Sequence, residues 1–206
     1  MLTPDQFLGF LLAAILVTAS PGPDNLMVLG TGMSKGRASG IAFGLGCALG
    51  CLSHTALAVI GVSALIAASP PAFTVLKIGG GLYLLWLGYG ALRSGGRVDV
   101  AVQAERSLGA LFMKGVIANA VNPKVVLFFL SFLPQFVAPA RGDATWQMAL
   151  LGVVFSAQAA LLFGLLGYFA GSVGHWINRH PRAGLWLDRL AGMIFVALGL
   201  RLIVAR

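Results

Sequence analysis

Six long apolar blocks, separated by short polar or proline-containing breaks, restrict this chain more than any motif does. They fall at about 6–32, 38–67, 72–92, 112–137, 145–171 and 186–204. Each is close to or above the ~20 residues a helix needs to cross the hydrocarbon of a bilayer. The apolar residues run continuously, without the alternation that barrel strands require. Only 10% of the 206 residues are charged, against about 25% in a soluble domain, and mean hydropathy is +0.91. Too few charges exist to build a water-facing surface, so lipid must cover most of the outside. The expected fold is a single all-α membrane domain over 1–206 with six transmembrane helices.

The net charge is +8, but no basic stripe interleaved with aromatics is present, so a nucleic-acid partner is not expected. The cations cluster in alternate breaks instead. Lys35, Arg37, Arg93, Arg97, Arg106, Lys114, Arg179, Arg182 and Arg189 flank the first, third and fifth, whereas the second and fourth hold only Lys77 and Arg141. The positive-inside rule places the odd breaks in the cytoplasm, and six spans then put both termini outside it. Arg201 and Arg206 at the C-terminus run against that orientation. The opening Met-Leu-Thr-Pro-Asp-Gln carries Asp5 where a secretory leader would be basic, so Phe7 to Ala19 is read as the start of a retained first span.

The long third break divides the chain into pseudo-repeats at about 1–95 and 107–206, each of three blocks. An odd number of spans per repeat forces opposite membrane topology, the inverted-repeat plan of many secondary transporters. Pro21 in the first block and Pro123 in the fourth mark corresponding positions, where both helices are expected to break.

The breaks carry the chemistry. In Ser20-Pro21-Gly22-Pro23-Asp24-Asn25, two prolines and a glycine interrupt the first block. Irregular backbone at membrane depth survives only where it lines protein or a wet cavity, and a restarted helix presents free N–H groups and a positive dipole end, suited to an anion. Asp24 is a carboxylate within an apolar block, a functional candidate by default. It could bind an ammonium, carry a coupling proton, or cap the restarted helix through the N–H of Met27. In the fourth block, Asn119, Asn122, Pro123 and Lys124 form the second constellation. Asn122 can cap the new helix, and Lys124 either binds a carboxylate, pairs with Asp24, or snorkels to the interface.

Other features are weaker. Gly32, Gly36, Gly40 and Gly44 recur every four residues, with Gly46 and Gly50 as a second row, a close-packing signal for an internal or dimer contact. Cys47, Cys51 and His54 share a helical face, but three ligands on one helix hardly surround an ion, so no metal site is expected. His54 reads first as a buried histidine bonded to a neighbouring span, and second as a residue that takes up a coupling proton. Gln158 and Ser156 either line the same cavity or join helices. Trp86, Tyr83, Tyr89, Trp176 and Trp186 fit an interfacial belt. No nucleotide-binding, metalloprotease or nucleophile-elbow motif is present, so neither an enzyme nor a resident cofactor is expected.

Taken together, Ser20-Pro21-Gly22-Pro23-Asp24, the glycine ladder, Lys77-Ile-Gly-Gly-Gly-Leu-Tyr83-Leu-Leu-Trp86-Leu-Gly88, and Asn122-Pro123-Lys124 with Phe128-Phe129 and Phe132-Leu133-Pro134-Gln135-Phe136 resemble the LysE/RhtB family. These are the lysine and homoserine/threonine exporters of bacteria. The resemblance spans essentially the whole chain. It implies export of an amino acid or close derivative from the cytoplasm, driven by a proton or ion gradient, in the bacterial inner membrane and as a homodimer. The motif positions are Pro21, Gly22, Pro23, Asp24, Asn122, Pro123 and Lys124. The wider superfamily includes metal-ion exporters, which keeps the Cys47, Cys51 and His54 face as a minor alternative. The rival readings are a passive small-solute channel and a non-transporting membrane scaffold.

Overall fold

A computed structural model describes residues 2–62, 70–93 and 107–204 of the chain. Of the expected second break, Ser69-Pro70-Pro71, only Ser69 lies outside the described residues, and a helix begins at Pro70. The expected third break falls largely on 94–106, outside the described residues, as do Arg97 and Arg106. Eight α-helices are formed among the described residues: α1 (Pro4–Ala19), α2 (Pro23–Lys35), α3 (Arg37–Leu57), α4 (Pro70–Arg93), α5 (Leu108–Ala120), α6 (Pro123–Leu127), α7 (Ala144–Arg179) and α8 (Pro181–Val204). No strand occurs among them.

Arg37–Gly61, Thr74–Arg93 and Ala144–Ile177 are each long and apolar enough to cross a bilayer. Two bent pairs qualify as single broken spans. α1 and α2 meet at 55°, and α5 meets the segment Pro123–Phe136 at 50°. The prolines cause both bends. Each second segment starts on a proline, whose missing N–H is harmless at a helix start but would break an interior. α8 is the sixth element. Its 24 residues reach about 36 Å, long enough to cross, but with Arg182, Asp188, Arg189 and Arg201 it is not among the helices apolar enough to do so by composition. The Arg201 guanidinium lies 6.0 Å and 5.7 Å from the ring centres of Phe132 and Phe136.

Glycine registers fix the helix directions. A Cβ on Gly40 would strike Gly167, one on Gly44 would strike Phe163, and one on Gly152 would strike Thr55, so α3 and α7 run antiparallel. Gly81 faces Gly199 and Gly88 faces Gly192, so α4 and α8 do too. By contrast Gly46 abuts Phe112 and Gly50 abuts Val116 and Asn119, which makes α3 and α5 parallel. Spans two and five, and three and six, are thus antiparallel, while two and four are parallel. That is the pattern of six alternating spans in two inverted three-helix halves. Backbones approach this closely because no side chain intervenes, the usual device for helix pairs in lipid.

The glycine ladder is used inside the molecule. Gly32 and Gly40 pack on each other and on α7, and Gly44, Gly46 and Gly50 pack on α7 and α5. Gly36 differs: its φ of +90°, open to glycine, turns the chain between α2 and α3. Phe10, Phe43, Phe128, Phe129, Phe132 and Phe155 fill the core beneath the two breaks.

Candidate functional site

The two broken spans cross at their breaks. Pro23 and Pro123 are each the first residue of a restarted helix and lie one hundred residues apart, so Asp24 and Lys124 occupy the same second position in α2 and α6. Each charged side chain reaches, or is reached from, the end of the other span's first segment. Lys124 Nζ donates to the carbonyl of Ser20, at the end of α1, at 2.8 Å. Asn119, at the end of α5, donates from Nδ2 to Asp24 Oδ2 at 2.7 Å. Both charged residues are only 4% exposed.

The local chemistry explains the exchange. A helix leaves its last carbonyls unpaired, and hydrocarbon offers them no water. At the end of α1, Leu16 O accepts from the Ser20 amide, Val17 O from the Ser20 hydroxyl, and Thr18 O from Asn25 Nδ2 at 2.8 Å. Lys124 supplies the donor for Ser20 O. Its cation thereby sits at the negative end of α1, while Asp24 sits in the first turn of α2, at a positive end; both placements are favourable. At the second break, the Asn122 side chain accepts from the Lys124 amide at 3.1 Å. The Asn119 carbonyl accepts from the Asn122 amide at 2.8 Å and from His54 Nε2 at 3.0 Å.

The structure bears on several alternatives that the sequence left open. Asp24 does not cap α2: Gly22 holds the cap position, with Asp24 one residue inside the helix. Lys124 does not snorkel and does not form an ion pair with Asp24 among the described residues; it is buried with its Nζ 5.1 Å from the Phe195 ring centre. Gln158 joins helices through a 2.8 Å bond from Nε2 to Thr18 Oγ1 of α1. Trp86 is a cavity wall as well as a surface aromatic. Cys47 and Cys51 are buried and unbridged, and no group of three His, Cys, Asp or Glu side chains able to hold a metal occurs among the described residues.

The crossing is under-satisfied. Asp24 Oδ1, Asn119 Oδ1, Asn122 Nδ2 and His54 Nδ1 are buried without a protein partner among the described residues. A carbonyl only accepts, so His54 carries a proton on Nε2, and its Nδ1 is left without a partner. Buried orphans of this kind cost stability unless a ligand, proton or water engages them. Asp24, Asn25, Asn119 and Lys124 surround a small cavity of about 10 Å³.

A far larger cavity, about 410 Å³, opens beside it. Pro21, Gly22, Pro23, Asn25 and Lys124 form its inner end. Its walls come from α2, α4, α7 and α8, through Leu29, Leu87, Val173, Ile177 and Phe195 among others. It extends towards the end of the molecule where α2, α4 and α7 finish, beside Lys35, Arg93 and Arg179. Lys124 lines both cavities; Asp24 lines only the inner one.

One cavity residue was not singled out from the sequence. Asp188 lies near the outer end of the large cavity. It falls within the bounds of the sixth apolar block, but two residues from their edge, among Arg182 and Arg189, where it reads as an interfacial charge. Its separation of seven from Phe195, two helical turns, was the available signal.

No solved structure matches the chain. Similar proteins are known by sequence. An uncharacterized membrane protein of Pseudomonas aeruginosa is 32% identical, covering 97% of this chain and 95% of its own. The threonine efflux protein of Escherichia coli K12 is 31% identical over 97% of this chain and 98% of its own. The homoserine/homoserine lactone efflux protein of Salmonella typhi is 29% identical over 100% and 99%. The LysE type translocator family matches residues 15–206, a stretch that takes in both helix breaks, and the chain belongs to that family.

Proposed function

We propose that this protein is a secondary exporter in the bacterial inner membrane, carrying an amino acid or close derivative out of the cytoplasm in exchange for protons. The observation that carries this reading is the reciprocal crossing: two buried opposite charges, on equivalent positions of two broken spans, each tied to the other span. Relatives named for threonine and homoserine efflux support the substrate class.

In this reading the basic end of the molecule faces the cytoplasm, and the large cavity is the inward-facing entrance. The substrate carboxylate meets Lys124 and the first amides of α2, those of Asp24 and Asn25, which precede the first intrahelical bond from Leu26 to Gly22. Lys124 leaves Ser20 O to do so, which loosens the contact between the two broken spans. The substrate ammonium then reaches Asp24. Protonation of Asp24 from the outside releases the ammonium, and the returning proton resets the site. Substrate binding is thereby coupled to the contact that holds the inward-facing arrangement.

The test is an export assay. Cells overproducing the protein are loaded with amino acids through dipeptides, and the medium is profiled against an empty-vector control. A selective rise of one or a few amino acids, abolished by a protonophore, is expected. A rise that ignores the gradient would favour a passive channel, and no rise, with the protein confirmed in the membrane, would favour a scaffold.

A further inference from the structure

Apart from the cysteines, three ionisable side chains are buried among the described residues: Asp24, Lys124 and His54. The exchange cycle uses the first two. His54 is 1% exposed. Its Nε2 donates to the Asn119 carbonyl at 3.0 Å, while its Nδ1 is buried without a partner among the described residues. Burying such a nitrogen unpaired costs stability, so packing alone does not call for an imidazole here. In the neutral ring Nδ1 is a proton acceptor.

The place of His54 along α3 gives that acceptor a use. α3 starts at Arg37, at the basic end, and runs away from it. Cys51 lines the small cavity together with Asp24 and Asn119. His54 is three residues further on, about 4.5 Å farther from the basic end. Thr55, beside it, abuts Gly152 near the start of α7, and the His54 ring centre lies 5.7 Å from that of Phe129, beyond the second break. His54 thus stands between Asp24 and the outer end of the molecule. No other buried Asp, Glu, Lys, Arg or His lies on that side among the described residues.

Asn119 joins the two groups. Its side chain donates to Asp24 Oδ2 at 2.7 Å, and its carbonyl accepts from His54. Asp24 Oδ1 is unpartnered too, so a proton acceptor stands on each side of Asn119. The ionisable groups about the ring are Asp24 on α2, Lys124 on α6, and Cys47 and Cys51 on α3 itself. Lys114 on the parallel α5 is five residues nearer the basic end than Asn119. Asp5 of α1 is exposed, and α7 carries no ionisable side chain before Tyr168. The Asp24 carboxylate is therefore the anion that an imidazolium at position 54 would meet.

We propose that His54 is a second proton-binding residue of the exchange cycle, which receives the incoming proton at Nδ1 and delivers it to Asp24 Oδ1. The proposal rests on the proton-exchange reading of the crossing. On receipt the neutral ring becomes an imidazolium and keeps its Nε2–H on the Asn119 carbonyl. On delivery Nδ1 loses the proton, the ring returns to neutral, and Asp24 becomes the uncharged acid that releases the substrate ammonium. The Asn119 carbonyl sets the tautomer that leaves Nδ1 open to the proton.

His54→Gln tests this in everted vesicles. Glutamine keeps an amide donor for the Asn119 carbonyl but takes up no proton. Two rates are compared at equal protein level: accumulation of the exported amino acid driven by an acid lumen, and counterflow of labelled against unlabelled amino acid without a gradient. Accumulation should fall at least about tenfold and counterflow less than about threefold. A packing role alone would lower both together, and that result would overturn the proposal. Should the variant not fold, nitrogen NMR of the unmodified protein in nanodiscs, labelled at histidine, decides. His54 Nδ1 should gain a proton across the pH range of transport while Nε2 stays protonated, and an Nδ1 fixed in one state would overturn the proposal. Normal accumulation by His54→Gln would sink the proposal and leave the exporter reading standing. Neither accumulation nor counterflow by the unmodified protein would sink the exporter reading, and the proposal with it.

Discussion

At the scale of the residue, burial of two charges is the costly feature. An Asp or Lys at the centre of a membrane helix costs about 2.5–3.5 kcal/mol on insertion scales, and here each charge is held by a single strong hydrogen bond from or to the other broken span. Gly22 shows how closely Lys124 is fitted. Its φ of −176° is ordinary extended backbone, so no conformational demand explains a glycine. A Cβ there would lie 3.0 Å from Lys124 Nζ and 3.3 Å from its Cδ. Gly22→Ala should therefore push Lys124 off Ser20 and cut export several-fold, with the amount of folded protein unchanged on detergent size-exclusion. Replacing Lys124 by Met removes the proposed carboxylate anchor and should lower export at least tenfold, measured with the same dipeptide loading. Asp24 and Lys124 were legible in the sequence because a charge inside an apolar block stands out. What each one touches was not legible, because Ser20 and Lys124 are separated by more than a hundred residues and meet only through the fold. Asp188 was hidden by its position near a block edge.

At the scale of the element, the prolines decide most of the architecture. Pro23 and Pro123 restart helices, and the sequence showed both breaks for that reason. It also showed the four-residue glycine period but not its partners, since a small residue signals close approach without saying to what. The contacts now predict which glycines are indispensable. A Cβ on Gly46 would enter the carbonyl of Phe112, and one on Gly115 would enter that of Phe43. Valine at either position should abolish accumulation of folded protein, because the parallel α3–α5 pair forms the frame that brings Asn119 to Asp24. A Cβ on Gly164 of α7 would meet nothing within 4 Å, and Gly164→Val should accumulate normally. Comparing the yields of the three variants after detergent extraction checks this. α7 also outruns its apolar block. The block stopped at 171, yet the helix continues to Arg179, because Gly171, Gly174 and His175 look like a break although no proline intervenes before Pro181.

At the scale of the whole molecule, α4 and α8 form a glycine-paired antiparallel unit, and the large cavity separates much of that unit from α2 and α7. The cavity points to the basic end, which the proposed orientation places in the cytoplasm. A cysteine at Ala91, on the cavity wall, should therefore react with a membrane-impermeant thiol reagent in everted membrane vesicles and stay protected in intact cells. Cys47 and Cys51 are buried and should contribute no background. Labelling from the outside of intact cells would reverse the assigned orientation. Alternating helix directions and the two broken spans followed from block counting and proline positions, whereas the cavity did not, because its walls come from four separate spans. The central claim is that Asp24 couples export to the proton gradient, and gradient-driven uptake into everted vesicles tests it most directly. Vesicles bearing the protein, with an acidified lumen, should accumulate the exported amino acid and lose that accumulation on addition of a protonophore. Vesicles bearing Asp24→Asn at the same protein level should show none. Full accumulation by Asp24→Asn would contradict the account.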